Sequence, residues 1–139
     1  MVDLTIFLDI DGVLNTPSEY GKRINKSNVG IFNRLLNILE EDYDIQIVVS
    51  SSWRLSRGVN KTIRDAGITV RLKGVTENLG DRSEEINSYI RKNRLEPENC
   101  LVLDDEKDIV KNVICKYYIT NYKTGVVEDD IKKILKLIN

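Results

Sequence analysis

The chain has no histidine, one tryptophan, one methionine, two prolines and two cysteines among its 139 residues. The lack of histidine removes imidazole from both catalysis and metal ligation. Cys100 and Cys115 each lie in an apolar, strand-like run, which reads as two buried thiols in a reducing compartment instead of a disulfide or a metal site. No apolar stretch approaches the length needed to span a bilayer. The opening Met-Val-Asp-Leu-Thr-Ile carries no basic segment ahead of its apolar run, and Asp9 cuts that run short, so no signal peptide is expected. A net charge of −1 gives no global field toward nucleic acid or an anionic membrane. There is no internal repeat, low-complexity segment or linker. With 41% hydrophobic and 31% charged residues, the expectation is one soluble domain over 1–139, cytoplasmic and without membrane contact.

What is present alternates between strand and helix signals. Val2–Leu8 reads as a buried strand, followed by a polar stretch over 15–26 that holds Pro17 and Gly21. The spacing of Phe32, Leu35, Leu36 and Leu39 predicts a helix over 27–41, with Ser27 as its N-cap. Ile45–Val49 is a second strand, 59–66 a short helix stopped by Gly67, and Ile68–Leu72 a third strand. Asp81 with Glu84 resembles a capping box opening a helix that carries Ile86, Tyr89 and Ile90. Cys100–Leu103 is a fourth strand, 107–112 a short helix, Lys116–Thr120 a fifth strand, and Ile131, Ile134, Leu135 and Ile138 mark a final helix. Alternation of this kind implies an α/β fold, a parallel sheet with helices on both faces. Ligands in such sheets bind beyond the carboxyl ends of the strands.

The polar residues follow that rule. Asp9 and Asp11 come after strand one, Ser50 after strand two, and Asp104 and Asp105 after strand four. Two carboxylates about 4 Å apart repel by roughly 4 kcal/mol at an effective dielectric near 20. If strands one and four are neighbours, a bound cation is the evident compensation.

Asp9-Ile10-Asp11-Gly12-Val13-Leu14-Asn15, Val48-Val49-Ser50 and Leu101-Val102-Leu103-Asp104-Asp105 resemble three motifs of the haloacid dehalogenase-like (HAD) superfamily, in the right order. Ser51-Ser52-Trp53-Arg54 and Arg82-Ser83-Glu84-Glu85-Ile86 are most similar to small capless phosphatase domains, some of them from polynucleotide kinase-phosphatases and other repair proteins. The resemblance implies a three-layer, Rossmann-like, five-stranded parallel sheet in the order 5-4-1-2-3. It implies a Mg²⁺-dependent phosphomonoesterase working through an aspartyl-phosphate, with Asp9 as nucleophile and Asp11 as general acid and base. Mg²⁺ would take Asp9, the backbone carbonyl of Asp11 and Asp105, with Asp104 a weaker ligand or one step removed. Asp108 matches a later acid of the family, or is a solvated helix-start residue. Ser50 would donate to the phosphoryl group, and Ser51 and Ser52 either offer backbone N–H groups or cap the next helix. The family's third motif, a Lys or Arg, is assigned to Arg82, with Lys73 as the fallback. Arg54 is expected to hold the substrate phosphate, or else to stack on Trp53 at the surface.

The intervals where relatives carry a cap, 13–26 and 73–80, are too short to hold a domain. An open site favours a bulky phosphorylated substrate, such as a nucleic-acid end or a nucleotide. Arg54, Arg57, Lys61, Arg64, Arg71 and Lys73, with Lys22, Arg23 and Lys26, are candidates to contact a phosphate backbone, and Tyr20 and Trp53 to stack on a base. The alternative is a catalytically idle phosphate-binding or regulatory member of the same fold. A signalling receiver domain is disfavoured, because the acidic pair follows strand four, not strand one.

Overall fold

A computed structural model of the chain describes residues 1–56 and 58–139. Five parallel strands form one sheet in the order β3-β2-β1-β4-β5: β1 Val2–Leu8, β2 Tyr43–Val49, β3 Leu72–Val75, β4 Cys100–Asp104 and β5 Lys116–Ile119. The connecting helices are α1 Lys26–Leu39, α2 Val59–Asp65, α3 Arg82–Lys92, α4 Lys107–Val110 and α5 Glu128–Ile138. This is the α/β architecture and strand order that the resemblance implies.

Side chains alternate across the pleat, so each strand supplies both layers. Leu4, Ile6 and Leu8 join Ile47, Val49, Leu101 and Leu103 beneath α1, α2 and α5, whose contributions include Phe32, Leu35, Leu36, Ile63, Ile131 and Ile134. Phe7, Val48, Cys100 and Val102 pack on the other face against Ile86 and Ile90 of α3 and Val110 of α4. β1 is central and buried on both faces, which is why Leu4–Leu8 reads as a continuous apolar run.

Two local expectations are corrected. Asn25, not Ser27, caps α1: its Oδ1 accepts from the backbone N–H groups of Ser27 at 2.9 Å and Asn28 at 3.2 Å. The third strand lies at Leu72–Val75, not Ile68–Leu72. Ile68 and Val70 do pack against the core, which explains their apolar character, but they do so ahead of the ladder. Pairing begins at Leu72 beside Ile47, shifts register, and resumes with Gly74 beside Val48. A Cβ on Gly74 would lie 3.0 Å from the Tyr89 hydroxyl, so the small residue gives Tyr89 room over the sheet.

The intervals 9–25 and 76–81 contain one short 3-10 turn, Pro17–Glu19, and no further domain. Glu19 knits the first interval together, accepting from the Thr16 backbone at 3.1 Å and from Asn25 at 3.2 Å. Among the described residues, no helix is long and apolar enough to cross a membrane.

The loop after β5 is tied to the loop after β1. The buried Thr120 hydroxyl donates to the Gly12 carbonyl at 2.7 Å. Thr120→Val should lower unfolding free energy in urea by about 1–3 kcal/mol, the cost of leaving that carbonyl unpaired.

Candidate active site

The sheet ladder continues one residue past four strand ends. The backbone N–H of Asp9 donates to Leu103 O at 3.0 Å, Ser50 N–H to Leu8 O at 3.0 Å, Thr76 N–H to Val49 O at 3.1 Å, and Thr120 N–H to Asp104 O at 2.9 Å. The first residue of each loop is therefore held as rigidly as the strand before it. These loops converge on the carboxyl edge of the sheet.

Asp9, Asp104 and Asp105 meet there, with one oxygen of each within 4.8 Å of the others. Asp9 and Asp104 are buried and Asp105 is half-buried. Arg82, at the first turn of α3, reaches between them, its Nη1 lying 2.8 Å from Asp104 Oδ2 and 3.5 Å from Asp9 Oδ1. Burial, followed by the charge of Asp104, pushes the Asp9 carboxyl well above its ordinary value, and Arg82 only partly opposes this. Burial raises Asp105 as well. Arg82 is raised: burial works against its charge, but Asp9 and Asp104 more than offset it. One guanidinium among three clustered carboxyls leaves negative charge to be balanced. An all-oxygen donor set of this kind suits a hard divalent cation.

The two residues of the acidic pair have different surroundings. Asp104 is fully buried, with Oδ2 on Arg82 and Oδ1 accepting from the Glu106 N–H at 2.9 Å. Asp105 faces the turn at Gly12, where a Cβ would come within 2.3 Å of its Oδ2. Gly12 also has a φ of +85°, so both the turn and the approach require glycine at this position.

Asp11 sits apart from the three acids. Its Oδ1 accepts from Asn15 Nδ2 at 2.8 Å, from the Gly21 N–H at 3.1 Å and from the Trp53 indole N–H at 3.1 Å. Asn15 is fully buried and accepts from the Gly12 N–H at 3.0 Å through its own Oδ1. Asn15 closes the acidic motif in the sequence, and its role as a holder of Asp11 emerges only from these hydrogen bonds. An amide four residues past an aspartate in a tight loop was the available signal. Trp53, a candidate for base stacking, is turned inward: its ring packs on the core and its N–H is committed to Asp11.

Ser50 is 0% exposed, and its hydroxyl has no hydrogen-bond partner among the described residues. A buried, unpartnered hydroxyl is costly unless something else engages it. The Ser51 hydroxyl accepts from the Trp53 N–H at 3.2 Å and so caps the short turn Ser52–Leu55. Arg54 is not the free cation expected for a substrate phosphate. Its Nε donates to Thr76 O at 3.1 Å and its Nη1 to Ser51 O at 2.9 Å, while Nη2 pairs with Glu85 at 2.8 Å. Both members of that pair are 5% exposed. Glu85 in turn accepts from the Leu79 N–H at 2.8 Å, so the pair clamps the serine loop to the loop that delivers Arg82. Glu85 was missed because an acid in the second turn of a helix ordinarily reads as solvated.

Of the two choices for the third basic motif, Arg82 is the one brought to the acids. Lys73 is exposed on β3, beside Arg71 and Leu72. Asp108 is 96% exposed and lies 3.9 Å from Lys111. The basic residues differ in their surroundings. Arg54 is interior, Lys61 pairs with Asp65 at 2.5 Å, and Arg64 and Arg71 line a groove with Ile63 and Ile68. Arg57 lies outside the described residues. The Tyr20 hydroxyl donates to Tyr122 O at 3.2 Å. Burial and the neighbouring Asp105, Asp11 and Asp9 push its phenol up to about 12.

A family model described as the HAD domain in Swiss Army Knife RNA repair proteins matches residues 5–131. The chain belongs to that family of HAD domains. A comparison with curated proteins finds no match. Among solved structures, this HAD domain is similar to the core domain of a protein assigned as a phosphoglycolate phosphatase from Streptococcus pneumoniae TIGR4. That match has a TM-score of 0.54 and 15% identity, over 98% of this chain and 97% of the other. It is also similar to 3-deoxy-D-manno-octulosonate 8-phosphate phosphatase from Moraxella catarrhalis, solved with magnesium, phosphate and KDO. There the TM-score is 0.54 and the identity 16%, over 98% of this chain and 87% of the other. At such identities these likenesses speak for the fold.

Removing one partner of the Arg54–Glu85 pair strands a buried charge. Arg54→Ala should cost about 3–5 kcal/mol in chemical denaturation. Asp9→Asn should act in the opposite direction. A carboxyl whose folded value lies above its unfolded one is, once ionised at neutral pH, a burden on the native state. Removing that charge should raise the melting temperature in chelator-treated neutral buffer, at roughly 4 °C per kcal/mol gained.

Proposed function

We propose that the chain, as one catalytic domain over 1–139, is a Mg²⁺-dependent phosphomonoesterase that works through an aspartyl-phosphate on Asp9. The observation that carries this reading is the meeting of Asp9, Asp104 and Asp105 beside Arg82 at the ends of β1 and β4. The unpartnered hydroxyl of Ser50 at the neighbouring strand end adds to it.

Mg²⁺ would be held by Asp9, the Asp11 carbonyl and Asp105, with Asp104 behind them, and when bound would neutralise charge on the phosphoryl oxygens. In the first half-reaction a carboxylate oxygen of Asp9 bonds to phosphorus while the ester oxygen departs with the bonding pair and takes a proton from Asp11. In the second, Asp11 removes a proton from the water that attacks the acyl phosphate, freeing Asp9 and inorganic phosphate. Arg82 is placed to stabilise negative charge between the nucleophile and the phosphoryl group. Ser50 donates its hydroxyl to a phosphoryl oxygen. Ser51 contributes by fixing the loop that presents Ser50. Arg54 braces that loop from the protein side.

For the substrate we favour a phosphorylated nucleic-acid end or a nucleotide. The family's occurrence in RNA repair proteins supports this choice, as does the absence of any added domain in the intervals after β1 and β3.

Hydrolysis should require Mg²⁺ and should be abolished in Asp9→Asn and in Asp105→Asn. Asp11→Asn should slow turnover by about 10²–10⁴-fold while retaining Mg²⁺ binding by calorimetry, because the metal contact there is a carbonyl. A panel of 3′- and 5′-phosphorylated oligonucleotides, nucleotides, sugar phosphates and phosphopeptides at fixed salt should favour the oligonucleotides. A wild-type chain that binds phosphate but turns over none of the panel is instead the idle, phosphate-binding member of the fold.

A further inference from the structure

The surroundings of Asp11 distinguish its two oxygens. Three N–H groups converge on Oδ1, from Asn15, Gly21 and Trp53. Among the described residues, none donates to Oδ2. An N–H aimed at a carboxyl oxygen needs a lone pair there, and a hydroxyl hydrogen on the same oxygen would meet the three donors head-on. A proton on Asp11 therefore belongs on Oδ2.

The three donors differ in origin. Asn15 and Gly21 lie in the same loop as Asp11 and move with it. Trp53 alone comes from across the site, in the turn after β2. It is fixed at both ends: its backbone N–H is held by the Ser51 hydroxyl at 3.2 Å, and its ring is packed on the larger core layer. The serine loop that bears Trp53 also bears Ser50, whose N–H is pinned to Leu8 O at 3.0 Å. Trp53 thus sets the position of Asp11 relative to the groups that would receive the phosphoryl oxygens.

We propose that Trp53 is a positioning residue for Asp11: its indole N–H, 3.1 Å from Oδ1, orients the carboxyl so that Oδ2 carries the proton to the leaving oxygen. The inference rests on the phosphatase reading above. As the bond from Asp9 to phosphorus forms, the bond to the leaving oxygen breaks with its electron pair. The Oδ2 proton passes to that oxygen. In the return step Oδ2 takes a proton from the attacking water, and Oδ1 keeps its three donors throughout.

The test uses two aryl esters of nearly equal size. Phenyl phosphate has a leaving oxygen that needs a proton. 4-Nitrophenyl phosphate has one that scarcely does. Trp53→Phe keeps an aromatic ring and removes the N–H. It should lower kcat on phenyl phosphate by about tenfold or more, and on 4-nitrophenyl phosphate by less than about threefold, with KM little changed for either, a small share of what a general acid contributes. In an Asp11→Asn background, Trp53→Phe should cause no such difference between the two esters. Should the Phe variant fold poorly, the single tryptophan allows site-specific replacement by benzothienylalanine, which exchanges the ring N–H for sulfur in the same shape. The same pattern is then expected. Equal losses on both esters, or a difference that survives in Asp11→Asn, would overturn the proposal. A wild-type chain that hydrolyses neither ester with Mg²⁺ would instead overturn the phosphatase reading, and this inference with it.

Discussion

Clustered negative charge at the ends of two adjacent strands is the constraint around which the rest of this molecule is arranged. Asp9 and the Asp104–Asp105 pair are brought together by parallel pairing of β1 with β4, which runs from Thr5 beside Cys100 to Leu8 beside Leu103. That pairing is fixed by apolar side chains on both faces, and the acids must tolerate its geometry. Burial makes their repulsion expensive. Asp9 is raised first by burial and then by the charge of Asp104, with Arg82 opposing part of this, and burial raises Asp105 as well. A site of this kind holds free energy that a bound cation can draw on.

Precision at such a site depends on how firmly its loops begin. The ladder bonds from Asp9, Ser50, Thr76 and Thr120 extend sheet rigidity one residue into each loop. Behind them, the buried Arg54–Glu85 pair joins the serine loop to the start of α3, so that Ser50 and Arg82 are positioned by one interaction. Trp53 and Asn15 do the same for Asp11. A tryptophan and an arginine beside a string of serines, types that suggest substrate contact, are here hydrogen-bonded to Asp11 and Glu85 and brace the loops that carry the candidate site groups.

The helices on both faces and the placement of Asp9, Ser50 and Asp104 after strand ends were legible in the residues themselves, while the strand order was what the family resemblance implied. Short apolar runs ending in acids or serine are a local signal, and parallel α/β topology leaves few ways to arrange them. The preference for Arg82 over Lys73 came from the family resemblance, and Arg82 is the one that lies beside Asp9 and Asp104. The third strand was misplaced because Ile68 and Val70 are apolar for the sake of helix packing and not for pairing, and sequence period does not separate the two. The interior, paired setting of Arg54 was not legible, because a buried arginine and an exposed one look alike until the carbonyls around it are known.

The sequence by itself determined the α/β class and the list of candidate site groups, since both follow from local pattern: apolar period, turn residues, and which polar side chain follows which strand. Only the tertiary structure decided which polar groups face each other, because hydrogen-bond partners of a side chain are set by distances between segments far apart in the chain. Asp11 and Trp53 are 42 positions apart and Arg82 and Asp104 are 22 apart. No local rule pairs them; the packing of two core layers on one sheet does.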